Sequence, residues 1–96
     1  MTNKIDVHAT IGRINTAAEI LEKIVQEWPR STTLPIVLEQ IRHLQETYAR
    51  DKNFLAIPKN KMTFGRIVAR EGYADRYPKL AEVLHKISYD LDHQND

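Results

Sequence analysis

The chain contains no cysteine, which excludes disulfides, thiolate metal sites and a cysteine nucleophile, and fits a reducing compartment such as the cytoplasm. Glycine is almost as scarce. Gly12, Gly65 and Gly72 are too few and too scattered to build a phosphate-cradling loop or a dinucleotide fingerprint. No uninterrupted apolar stretch approaches the ~20 residues that a membrane span requires, and the opening Met1-Thr2-Asn3-Lys4-Ile5-Asp6 lacks the apolar run of an export signal. Nor is there a large excess of one charge. Fourteen basic and 13 acidic residues leave a formal +1, so bulk electrostatics do not call for nucleic acid.

What is present suits one folded domain over residues 1–96. Hydrophobic residues make up 42% and charged residues 28%, ordinary globular usage rather than a disordered or fibrous composition. A chain of this size buries only roughly 60–65% of the surface its unfolded form exposes, which implies modest stability and little room for a deep private pocket. That expectation weighs against an enzyme.

Hydropathy spacing predicts an all-α fold, a compact bundle of four helices. Val7, Ile11, Ile14, Ala18, Leu21, Val25 and Trp28 recur at steps of three and four, and Ala17, Ile20 and Ile24 widen that seam to about half the helix circumference. One partner cannot cover such an arc, so the first helix is expected to be central and flanked on two sides. Thr16 with Glu19 has capping-box spacing, which would start the helix near Ala17; one long helix through Gly12 is preferred. Pro29 and the run Arg30-Ser31-Thr32-Thr33 close it. Leu34, Val37, Leu38, Ile41, Leu44 and Tyr48 then form one face of a second helix, with Thr33 as N-cap, folding back as an antiparallel hairpin.

Residues 53–62 show no helical period, and Phe54, Leu55 and Ile57 there are expected to leave some apolar surface exposed. A short third helix is expected from an N-cap at Thr63 to about Glu71, with Gly72 at its left-handed end. A fourth, amphipathic helix follows Asp75 and Pro78, carrying Tyr77, Leu80, Val83, Leu84, Ile87 and Leu91 on one stripe.

No constellation with catalytic or metal-binding spacing stands out. His8, His43, His85 and His93 include no pair three or four apart, and Ser31 and Ser88 occupy no strand-turn-helix elbow, so neither metal nor cofactor is expected. Charge is unevenly distributed. Residues 1–49 sum to −1, 50–70 to +5 and 71–96 to −3, which sets a basic waist of Arg50, Lys52, Lys59, Lys61, Arg66 and Arg70 between two mildly acidic parts. Nucleic-acid binding through that waist is the unfavoured alternative, because Glu82, Asp90 and Asp92 on the last helix would repel phosphates. A homodimer sharing the broad arc of the first helix is another. Tyr89, opposite the last helix's apolar stripe, and Tyr73, between Glu71 and Asp75, favour a protein-binding surface.

The order of these features resembles a family. An apolar helix ending in Trp28-Pro29 is followed by Leu38-Glu39-Gln40-Ile41-Arg42-His43-Leu44-Gln45, then by Met62-Thr63-Phe64-Gly65-Arg66-Ile67-Val68-Ala69-Arg70-Glu71 and Pro78-Lys79-Leu80-Ala81. From about Ile14 to Tyr89 this is similar to the small all-helical immunity proteins that bacteria pair with type VI secretion toxins of the NAD(P)+-hydrolysing kind. The resemblance implies a cytoplasmic antitoxin that binds its toxin's catalytic domain, blocks the NAD(P)+ cleft and has no catalysis of its own. A cleft built for an anionic pyrophosphate presents positive potential, so acids and tyrosines suit an occluding surface. Glu71, Tyr73, Asp75, Tyr89, Asp90 and Asp92 are the candidates on charge and expected exposure.

Overall fold

The computed structural model describes residues 7–57 and 73–93, apart from the side chains of Tyr73 and Ala74. Helix α1 runs from Val7 to Glu27 and α2 from Thr33 to Asp51; a single helical turn, Tyr73–Arg76, then leads into α3, Pro78–Asp92. Among the described residues the architecture is thus all-α with no strand, and three helices build the bundle. This corrects the expected four. The proposed short helix from Thr63 to Glu71 lies outside the described residues, and the turn at Tyr73–Arg76 is too short to form a layer.

Helix α1 is continuous through Gly12. Thr16 does not cap a later start: its hydroxyl donates back to the Gly12 carbonyl at 3.0 Å, inside the helix. Trp28 closes the last turn through its N–H on the Ile24 carbonyl, and Pro29 then fixes a tight turn in which the Ser31 N–H donates to the Trp28 carbonyl at 3.0 Å. The start of α2 is also corrected by one turn of detail. Thr33 is the first helical residue, not the cap, and the oxygen that takes up an end N–H is Ser31 Oγ, accepting from Leu34 N–H at 3.2 Å.

Both α2 and α3 pack on α1, and they make no close backbone approach to each other. The central position expected for α1 follows from its wide apolar arc: Ile14, Ala17, Ala18, Leu21 and Ile24 are all buried within the one chain. Paired positions run in opposite directions on both sides. Asn15 meets Gln45 and Glu22 meets Arg42 across α1 and α2, while Arg13 meets Asp90 and Trp28 meets Tyr77 across α1 and α3. Both α2 and α3 therefore run antiparallel to α1.

From α2, Leu34, Val37, Leu38, Ile41 and Leu44 enter the core, and from α3, Leu80, Ala81, Leu84, Ile87 and Leu91. The segment after α2 departs from expectation. Phe54 and Ile57 are buried core residues, and only Leu55 remains outside. Lys52 makes this possible: its left-handed φ of 60° ends α2, its N–H returns to the Tyr48 carbonyl at 2.7 Å, and the chain turns back so that Phe54 packs on Tyr48 with ring centroids 5.7 Å apart.

Candidate functional site

At its C-terminal end α3 presents Tyr89 to solvent, 62% exposed, stacked on the His93 ring at 3.9 Å and 19°. His93 is fixed in turn, with Nδ1 2.8 Å from the Tyr89 carbonyl and its N–H on the last helical carbonyls. Asp92, next to it, is half-buried. Glu82 and Lys86, ion-paired at 3.1 Å, continue the outer ridge of the same helix.

Asp90 lies elsewhere, and its selection as a surface carboxylate is corrected. It is 9% exposed, accepts a hydrogen bond from the buried Thr10 hydroxyl at 2.8 Å and forms an ion pair with Arg13. On a helix, positions 89 and 90 point about 100° apart, so Tyr89 faces outward while its neighbour faces α1. Asp90 is a clasp between helices, not a surface group.

The remaining candidates are not gathered into one corner. Asp75 is exposed in the turn before α3, whereas Tyr89 and Asp92 lie at its far end, about 17 and 21 Å along the axis from Pro78 at ~1.5 Å per residue. Glu71 lies outside the described residues, as does the side chain of Tyr73.

A second cluster was not singled out from the sequence. Trp28, 43% exposed, donates its indole N–H to the Tyr77 hydroxyl, and the Arg76 guanidinium carbon lies 4.5 Å from the centre of the indole ring. These three residues, with Ser31 and Leu34, line a small open cleft of about 70 Å³. Periodicity assigns Trp28 and Tyr77 to apolar seams, yet both stand at helix ends. The available signal was the pair of aromatic-proline steps, Trp28-Pro29 and Tyr77-Pro78, each beside an arginine. A residue before proline is pushed towards extended backbone, and Tyr77, with φ −130° and ψ 68°, packs half-buried against the core while its hydroxyl reaches Trp28.

In the basic waist, Arg50 holds Asp51 through two hydrogen bonds of 3.1 Å, a contact that raises its already high pKa. Lys52 lies over the Tyr48 ring at 5.6 Å. Lys59, Lys61, Arg66 and Arg70 fall outside the described residues. Among the described residues no three histidine, aspartate or glutamate side chains gather as a metal site, and no helix is long and apolar enough to cross a membrane. No family model, curated protein or solved structure matches the chain.

Proposed function

We propose that the protein is an immunity protein, an antitoxin that binds the catalytic domain of a secreted antibacterial toxin of the NAD(P)+-targeting kind and occludes its active-site cleft. The observation that carries this reading is Tyr89, a large ring held in solvent by its stack on His93 at the end of a packed helix. A ring already ordered in the free protein loses little entropy on docking, which favours aromatic anchors at tight interfaces. The resemblance from Ile14 to Tyr89 supports the toxin class, and Asp92 beside the ring suits a cleft of positive potential. A cysteine-free chain suits action in the cytoplasm.

Co-expression with the toxin encoded next to it should restore growth and yield a stable complex; a toxin that still kills and does not co-purify overturns the reading. In that complex Tyr89→Ala should weaken binding by about 2 kcal/mol or more, the scale of an interface hot spot, with helicity unchanged by circular dichroism.

A further inference from the structure

We infer that the Trp28–Arg76–Tyr77 cluster is a docking site for an acidic protein segment. Arg76 would take the segment's carboxylate, and the exposed indole of Trp28 would support the neighbouring apolar side chain. This surface lies at the opposite end of α3 from Tyr89, and the inference does not depend on the toxin reading.

The argument begins with how Arg76 is held. Its guanidinium carbon lies 4.5 Å from the centre of the Trp28 ring, a cation–π contact that engages the charge and consumes no N–H donor. No carboxylate or carbonyl accepts a hydrogen bond from Arg76 among the described residues; Asp75, its chain neighbour, forms no ion pair with it. An arginine held over a ring, whose planar fork has no hydrogen-bond partner among the described residues, is suited to a carboxylate, which it binds through two parallel hydrogen bonds.

The platform beneath it is also ordered in advance. Trp28 is anchored by the Tyr77 hydroxyl on its indole N–H and by the Pro29 turn that receives the Ser31 N–H, yet 43% of its surface remains exposed. Beside it the shallow cleft bounded by Leu34 and Ser31 offers an apolar wall next to a hydroxyl. Tryptophan, tyrosine and arginine together are the residue types in which binding energy concentrates.

Charge selects the occupant. Arg30, Arg76 and Lys79 are exposed around the cluster, and Glu27 and Asp75 are exposed among them. A continuous polyphosphate needs a run of cations and is disfavoured by carboxylates interspersed among them, whereas one discrete acid needs only the Arg76 fork. A peptide with isolated carboxylates flanking an apolar residue therefore fits better than a nucleic acid.

Trp28 is the only tryptophan, so its emission reports on this cluster alone. The full-length protein is titrated with acetyl-Glu-Val-Glu-amide, with acetyl-Gln-Val-Gln-amide and with a short oligodeoxythymidylate. The expected result is a saturable change with the acidic peptide that fades with added salt and is at least about tenfold weaker for the neutral one. Arg76→Gln should reduce the acidic response to that of the neutral peptide, and Arg76→Lys should recover it only in part. An equal response to both peptides, no saturable change, or tighter binding of the oligonucleotide overturns the proposal. Should Arg76→Gln fail to fold, the peptide comparison on the unaltered chain decides alone.

Discussion

Asp90 illustrates how one carboxylate can be read two ways. In the sequence it is one of two acids near the end of an amphipathic helix, and only the step of about 100° per residue separates them, placing position 90 at the edge of the apolar stripe beside Val83 and Ile87 and position 92 opposite it. Its partners, Thr10 and Arg13, are 80 and 77 positions away, a separation that no periodicity reports. Removing it would delete the Thr10 hydrogen bond and the Arg13 ion pair together, while Arg13, 37% exposed, can turn to water. Asp90→Ala should therefore cost about 2 kcal/mol, the scale of a lost hydrogen bond to a charged group, read as a lower urea midpoint. Replacing both buried groups, Thr10→Val with Asp90→Leu, should restore most of that loss, because two apolar groups need no partner.

Among the elements, α1 was legible because its seven-position seam repeats over six turns, and α2 and α3 because their stripes are interrupted only at prolines. Details that depend on a turn of backbone were not. Ser31 rather than Thr33 takes up the free N–H at the start of α2, since both are hydroxyls within reach and only the path after Pro29 decides between them. Phe54 and Ile57 are buried where the sequence leads one to expect some exposed apolar surface, because a buried pair without helical period has no pattern to announce it; the left-handed turn at Lys52 carries them inward. The Trp28 and Tyr77 cluster was hidden for the opposite reason, since both residues fit their seams by spacing. Gly12 offers a clean test of α1. No atom lies within 4 Å of where its Cβ would sit, so Gly12→Ala should add about 0.5–1 kcal/mol and raise the melting temperature by a few degrees in a thermal scan.

At the level of the whole molecule, α1 is the sole bridge between α2 and α3 within the described residues, and the centre of its apolar arc, Ile14, Ala17, Ala18, Leu21 and Ile24, is buried inside one chain. Leu21 has no exposed surface at the centre of this arrangement, and Leu21→Ala should cost about 2–5 kcal/mol, a large share of the roughly 5–14 kcal/mol expected for a domain of this length. Its far-UV dichroism should fall in a single transition that takes all three helices together. Leu91→Ala, at the end of α3, should instead speed amide exchange in that helix and leave α1 protected.

The Asp90 clasp ties the first turns of α1 to the last turns of α3, so those two strands of the bundle start and finish at the same pole. A tensile load applied there would not shear the helices past one another against their whole contact. It would open the clasp first and then part α3 from α1 turn by turn, as a zip opens, so a pull at this pole should need less force than one that drags the two helices lengthwise.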